Sequence, residues 1–183
     1  MLEGKWQKAE GEVKTIGEKG AKVLFLLFAF LTLAVDQLSK YIVSSTLNPG
    51  QSWNPIPSLE KWISITYITN TGAAFGLFPQ QGLIFMTIAI LVVIAILIYQ
   101  RHLSAERWLV RLSLGLQLGG ALGNLSDRIR SFLAAEGDIS ARLSQAHVVD
   151  FIDLKIWPVF NLADTAIVLG VAILALHLLL NEE

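Results

Sequence analysis

Gly82-Leu-Ile-Phe-Met-Thr-Ile-Ala-Ile-Leu-Val-Val-Ile-Ala-Ile-Leu-Ile-Tyr99 runs for 18 residues without a charge. Crossing a hydrocarbon core of about 30 Å takes about 20 helical residues. This run has no polar face to turn toward water, so it belongs in lipid. Three further segments have similar length and character. The first runs from Val23 through Val35 with only Thr32 interrupting it, then continues through Asp36-Gln-Leu-Ser-Lys40 to about Val43. Another spans about Trp108 to Leu125 with Arg111 near its start, and the last spans about Val159 to Leu180 with Asp164 inside it. The expected fold is a mainly α integral membrane protein. A four-helix bundle over about 23–43, 82–99, 108–125 and 159–180 forms a domain of residues 23–183, preceded by an extension over 1–22.

Composition agrees with this reading. Of 183 residues, 54% are hydrophobic and only 16% charged, with a net charge of -1. The mean hydropathy is +0.57. These values exclude a disordered chain, a coiled coil and a basic nucleic-acid binder, so no nucleic-acid partner is expected. Cysteine is absent. That removes disulfides, thiolate nucleophiles, zinc-thiolate and iron–sulfur sites, and lipidation of the chain itself through cysteine.

Orientation follows from lysine and arginine. Lys5, Lys8, Lys14, Lys19 and Lys22 precede the first span, and Arg101, Arg107 and Arg111 cluster between the second and third. The loop from Ser44 to Gln81 carries only Lys61. Both termini are therefore expected in the cytoplasm, with the first loop and the loop after Asp127 outside. The first span has a charged leader but no Ala-x-Ala-like site after it, and reads as a retained helix rather than a cleaved signal. Residues 1–22 read as a solvated, partly helical extension, and no internal repeat is visible.

In the first loop, Lys61-Trp-Ile-Ser-Ile-Thr-Tyr-Ile-Thr69 alternates apolar and polar residues, which predicts a strand. A turn of small residues, Asn70-Thr-Gly-Ala-Ala-Phe-Gly76, follows it. Trp53, Trp62 and Trp157 fall near the outer helix ends, where they suit interfacial anchoring. A small β-sheet lying on the outer leaflet is expected.

Charge inside a span is costly, about 2.5–3.5 kcal/mol for Asp at a helix centre. Asp164 sits toward the outer end of the last span, and Asp150 lies 14 residues earlier in the apolar run Val148-Val-Asp-Phe-Ile-Asp153. Structural roles are open to both: Asp164 as a helix-terminal residue touching water, Asp150 as a helix cap. The functional alternative is a carboxyl pair. Two carboxyls held close cannot both ionise, so they share a proton and supply one general base and one general acid. Such a pair needs no metal and no cofactor, and none is expected. His102, His147 and His177 are scattered without zinc-ligand spacing. Lys40 and Ser44 are spaced as a Ser-Lys dyad would be, but Lys40 equally suits an ion pair with Asp36 one turn earlier. Gly119 and Gly123 form a Gly-x-x-x-Gly pair that admits a close helix neighbour. Asn124, Asp127 and Arg128 add polar groups one turn outward, either as a helix-end network or to hold a substrate backbone.

Five blocks appear in order: Asp36-Gln-Leu-Ser-Lys40, Asn70-Thr-Gly-Ala-Ala-Phe75, Gly119-Gly-Ala-Leu-Gly-Asn-Leu-Ser-Asp-Arg128, Val148-Val-Asp-Phe-Ile152 and Phe160-Asn-Leu-Ala-Asp164. Together, over about residues 23–180, they resemble lipoprotein signal peptidase (signal peptidase II), the bacterial intramembrane aspartic peptidase. The resemblance implies four membrane helices, cytoplasmic termini, an outer β-cradle and residence in the inner membrane with the active site near the outer leaflet. It implies cleavage of prolipoproteins just before a diacylglyceryl-modified cysteine, contact with membrane lipid, and sensitivity to globomycin. It maps a catalytic dyad onto Asp150 and Asp164. Asn70, Asn124, Arg128 and Asn161 match polar positions of the family's site, and Asp36 and Lys40 match its first block. Gly119 and Asp127 belong to the third block and are expected to support the site. The enzyme is expected to act as a monomer.

Two features depart from the family pattern. The lysine-rich leader is longer, and Asp127 and Asp150 are 23 apart. The extra stretch, Ser131 to Gln145, places Ile139 and Leu143 on one helical face, and reads either as a gate beside the site or as an inert surface excursion. Other functions fit less well. A presenilin-like peptidase needs Gly-x-Gly-Asp, which is absent, and a proton relay through Asp164 and Asp36 needs a polar helix face that the second span lacks.

The topology has a direct test, because the native chain offers no background thiol. Single cysteines at Ser52 and Ser140 should react with a membrane-impermeant reagent in intact cells, and one at Glu182 should not. Labelling at Glu182 without labelling at Ser52 would invert the orientation.

Overall fold

The computed structural model describes residues 3–72, 80–104 and 107–180. In chain order the elements are α1 (Glu3–Thr46), β1 (Ser52–Trp53), a 3-10 turn (Pro57–Leu59), β2 (Ser64–Asn70), α2 (Gly82–Tyr99), α3 (Trp108–Ala134), α4 (Ile139–Gln145), β3 (Val148–Asp153) and α5 (Leu162–Leu180). The protein is mainly helical with one small antiparallel sheet. The Ala73-Ala-Phe-Gly76 part of the small-residue turn lies outside the described residues.

Among the described residues, three helical stretches are long and apolar enough to cross a membrane: Lys19–Thr46 of α1, Gly82–His102 and α5. Most of their large apolar side chains point outward, with Phe25, Val43 and Ile96 among those turned in. In α2 only Gly82 and Ile96 are buried. Helix α3 is different, and its composition does not mark it as a span. It packs against α1, α2 and α5, and buries Arg111, Ser113, Asp127 and Arg128. A helix enclosed by other helices needs no lipid-facing apolar surface, so it tolerates these polar residues.

Glycines set how closely the neighbours approach α3. A Cβ on Gly119 would meet Thr32 Cβ of α1 at 2.6 Å, and one on Gly120 would meet Ile167 Cγ1 of α5 at 2.8 Å. One on Gly123 would overlap the Asp36 carboxylate. Gly119 and Gly123 thus face α1, while Gly120 faces α5.

Several boundaries differ from the sequence reading. Helix α3 runs nine residues past Leu125 to Ala134, because the polar Ser126–Arg130 stretch extends the helix beyond the apolar run. Helix α5 starts at Leu162 rather than about Val159. Phe160 is held back by pairing with Ile152: the Ile152 and Phe151 amides donate to its carbonyl at 2.7 and 3.0 Å. Strand β2 starts at Ser64 rather than Lys61, since Trp62 and Ile63 amides donate to the Leu59 carbonyl in a turn. The run Val148–Asp153 is itself a strand, not a helix approach, so the alternative of Asp150 as a helix cap does not hold in this fold.

The sheet order is β1-β2-β3. Asn70 pairs with Val148 and Ile68 with Asp150, with an extra residue on β2 between Ile65 and Ile68. Asn70 and Asp150 therefore lie diagonally on one face of the sheet.

The glycine contacts predict a clear stability ranking. Gly120→Ala should destabilise the protein by about 1–3 kcal/mol, the usual cost of overpacking. Gly20→Ala, where a Cβ meets nothing within 4 Å, should be neutral or slightly stabilising. Thermal unfolding in detergent measures both; equal midpoints for the two variants would contradict the packing.

Candidate active site

Asp164 is fixed by the start of α5. Asn161 stands just before the helix, and its Oδ1 accepts from the Asp164 amide at 2.9 Å, while Asp164 Oδ2 accepts from the Asn161 amide at 3.3 Å. This is a reciprocal capping box built from Asn-x-x-Asp. Asp36 of α1 adds a second cap, accepting from the Ala163 amide at 2.9 Å. The Ile152·Phe160 pairing folds the chain back between β3 and α5. That return brings two residues 14 apart in sequence to one cavity of about 800 Å³, which both Asp150 and Asp164 line.

Three asparagine amides hold the two carboxyls. Asn70 Nδ2 donates to Asp150 Oδ2 at 2.9 Å, and Asn161 Nδ2 donates to Asp150 Oδ1 at 2.6 Å. Asn124 Nδ2 donates to Asp164 Oδ1 at 2.7 Å. The amide orientations are set from behind. Asn70 Oδ1 accepts from the Gly72 amide at 3.0 Å, Asn161 Oδ1 from the Asp164 amide, and Asn124 Oδ1 from Lys40 Nζ at 2.9 Å. Lysine only donates, so the Asn124 NH2 group must turn toward Asp164.

Lys40 is 2% exposed and forms ion pairs with Asp36 Oδ2 at 2.9 Å and Asp127 Oδ2 at 2.7 Å. Arg128 also lines the cavity; its Nη2 donates to the Gly72 carbonyl at 3.1 Å and its guanidinium lies 5.2 Å from the Phe85 ring centre. Its Nε has no partner among the described residues. Asp150 is 2% exposed. Burial first, and then the nearby Asp164 charge, push its pKa up from 3.8 to about 6, against hydrogen bonds from Asn70 and Asn161 and the charge of Lys40. The site therefore favours a protonated Asp150 in mildly acidic conditions.

Of the residues singled out in the sequence, Asn70, Asn124, Arg128, Asp150 and Asp164 line this cavity. Asn161, Lys40, Asp36 and Asp127 stand behind it as supports. Gly119 does not reach it and instead seats α1 against α3. The Ser-Lys dyad does not form: Lys40 is held by carboxylates, and the exposed Ser44 hydroxyl donates to the Tyr41 carbonyl at 3.2 Å. The His147 ring contacts the Gln145 carbonyl at 2.9 Å, away from the pair. No three His, Asp or Glu side chains among the described residues converge to hold a metal.

Two supports were not singled out. Gln37 donates to Asp36 Oδ2, the Gly123 carbonyl and Asp127 Oδ1 at 3.2, 3.2 and 3.0 Å, and accepts from Arg130 at 2.6 Å. Its place inside the Asp36–Lys40 block was the available signal. Asp153 takes Thr66 Oγ1 at 2.9 Å and Lys155 Nζ at 2.7 Å, fixing the turn after β3 in which Lys155 has φ 64°.

The inserted segment folds as α4, capped by Asp138 Oδ1 accepting from the Ala141 amide at 2.8 Å. It rests on the start of α2, where a Cβ on Gly82 would overlap the Leu143 carbonyl and come 2.9 Å from Ala146 Cβ. Arg142 holds it to α3 through the Phe132 carbonyl at 3.0 Å and the Phe132 ring at 4.4 Å. None of residues 131–145 lines the cavity of the carboxyl pair.

A family model described as signal peptidase (SPase) II matches residues 28–180. The chain is 49% identical over 156 residues to a lipoprotein signal peptidase of Moorella thermoacetica, covering 85% of this chain and 93% of that one. It is 41% identical over 160 residues to one from Pelotomaculum thermopropionicum, covering 87% and 93%. A solved bacterial membrane enzyme superposes with a TM-score of 0.72 at 29% identity, over 87% of this chain and 91% of that one.

The Asp150 environment gives a prediction with a definite sign. Amide donors favour the ionised carboxyl, so Asn70→Ala should move the Asp150 titration to higher pH than in the native protein. Because the folded state holds this proton more tightly than the unfolded chain, Asp150's stability contribution is complete below about 3.8 and lost as pH rises through about 6. Infrared titration of the protonated carboxyl band, assigned with Asp150→Asn, measures the shift; a move to lower pH would contradict the arrangement.

Proposed function

The chain belongs to the signal peptidase II family, and we propose that this membrane peptidase uses Asp150 and Asp164 to remove the signal peptide from prolipoproteins, cutting just before a diacylglyceryl-modified cysteine. The observation that carries the assignment is the convergence of both carboxyls on one cavity, each oriented by a fixed asparagine amide.

Hydrolysis needs a base for water and an acid for the carbonyl. Burial favours the proton on Asp150, which serves as the acid toward the scissile carbonyl oxygen. Asp164 takes a proton from the attacking water. The tetrahedral intermediate then collapses: Asp164 passes its proton to the amine of the lipidated cysteine as the C–N bond breaks, Asp150 takes back the proton of the carbonyl-derived hydroxyl, and the signal peptide departs as a carboxylic acid. Arg128 Nε, which has no partner among the described residues, is a donor for a substrate carbonyl at the cavity wall.

The surroundings suit a lipid-anchored substrate. The cavity is walled on the α2 side by Phe85, Ile88, Ala89 and Val92, spaced along one helical face. Residues 23–183 act as one four-span domain, with enclosed α3 as the fourth span and residues 1–22 as a cytoplasmic extension. Both termini lie in the cytoplasm, and the site lies near the outer leaflet of the inner membrane. The sheet rests on that outer surface through the exposed Trp53, Trp62 and Trp157. The enzyme works as a monomer without a cofactor, and globomycin inhibits it.

Cleavage of a diacylglyceryl-modified prolipoprotein in detergent tests the assignment. Asp150→Asn and Asp164→Asn should each lower kcat by at least about a thousandfold, and the double variant should be little worse, since residues acting as a unit are not additive. Thermal midpoints should show all three folded. Substantial turnover by either folded single variant would sink the dyad.

A further inference from the structure

Inward of the carboxyl pair, the cavity carries a polar group that the chemistry above does not use. Gln117 sits two helical turns below Asn124 on α3, seven residues or about 10 Å along the axis. It lines the same cavity as Asp150 and Asp164. Its Nε2 has no hydrogen-bond partner among the described residues and lies just under the cavity surface, so a turn of the terminal amide presents it to a bound group. Thr165, the polar lining residue that follows Asp164, is satisfied, its hydroxyl donating to the Asn161 carbonyl at 3.0 Å. Helix α5 makes room for the glutamine: a Cβ on Gly170 would lie 2.7 Å from Gln117 Cγ. An amide donor without a partner in an apolar cavity is costly to keep.

We infer that Gln117 Nε2 donates a hydrogen bond to a carbonyl oxygen of the bound substrate and so sets its register beneath the carboxyl pair. This rests on the peptidase reading. A signal-peptide helix must be unwound at the scissile bond, and the last four carbonyls of any helix have no partner within it. In lipid such carbonyls need a donor. A distance of about 10 Å, at about 3.3 Å per extended residue, places the Gln117 amide at a carbonyl about three residues before the cut. The ester carbonyls of the diacylglyceryl group offer the same acceptor chemistry, and a choice of substrate separates the two sources.

The experiment compares Gln117→Leu and Gln117→Met with the native enzyme on a diacylglyceryl prolipoprotein and on a matching dialkyl-ether prolipoprotein that lacks ester carbonyls. Both variants keep an apolar stem over Gly170 and lose the donor. The expected result is a KM raised about tenfold, with kcat nearly unchanged and the thermal midpoint of the substrate-free protein equal or higher. If the same KM ratio holds on the ether substrate, the acceptor is a peptide carbonyl; if the ratio collapses to one, it is an ester carbonyl. An unchanged KM in both variants, with the native enzyme active, overturns the inference. So does a fall in kcat and thermal midpoint with KM unmoved, which marks a structural role. A native enzyme that cleaves neither substrate overturns the peptidase reading, and the inference with it.

Discussion

All three hydrogens of the buried Lys40 ammonium are committed: to Asp36 of the same helix, and to Asp127 and Asn124 of α3. Asp36 uses its other oxygen for the Ala163 amide at the start of α5. A single cation thus ties three helices together at the level of the carboxyl pair. Buried ion pairs add little net stability, whereas removing one partner costs about 3–5 kcal/mol because the other charge is left unpaired. The useful product of Lys40 is geometric. It turns the Asn124 amide toward Asp164, and through Asp36 it seats the first turn of α5, which carries Asp164.

That arrangement depends on what is missing from α3. The Asp36 carboxylate occupies the space where a side chain at position 123 would be, and α1 and α5 lie against positions 119 and 120. Glycines therefore bring the polar side chains of α1 within reach of those on α3. Packing and polar network are one constraint here: a methyl group at 123 would displace the carboxylate that both pairs with Lys40 and caps α5.

Much of this was legible because membrane spans, helical spacing and strand alternation leave strong local signals. The uninterrupted run at Gly82–Tyr99, the i,i+4 spacing of Asp36 and Lys40, and the alternation leading into Asn70 each point to the element observed. Val148–Asp153 did not announce itself as a strand, since a six-residue apolar run can begin a helix as readily as it can fill a sheet. The outer end of α3 was hidden for a related reason: apolarity stops at Leu125 while the helix continues to Ala134. For Gln37 the one local signal was its place in the Asp36–Lys40 block, because two of the partners that make it a support lie 86 and 90 residues away. The placement of α4 against Gly82 rather than over the cavity is likewise a tertiary fact; the Ile139–Leu143 spacing encodes the helix but not what it rests on.

The two carboxyls are held by different kinds of structure, and this bears on the separate duties proposed for them. Asp164 lies in the first turn of a helix, with one oxygen on a backbone amide of its own capping box and the other on Asn124. Asp150 lies on a strand and is held by side chains alone, one from β2 and one from the residue before α5. Two amide donors and the Lys40 charge favour its ionised form, yet burial and the neighbouring carboxylate outweigh them and leave it near 6. A carboxyl whose pKa lies near 6 changes its protonation readily when a substrate displaces water or adds a dipole. That is the behaviour an acid needs if it must give up a proton to the carbonyl oxygen and regain one before the next turnover, while its partner on the helix stays fixed in position to receive the proton of water.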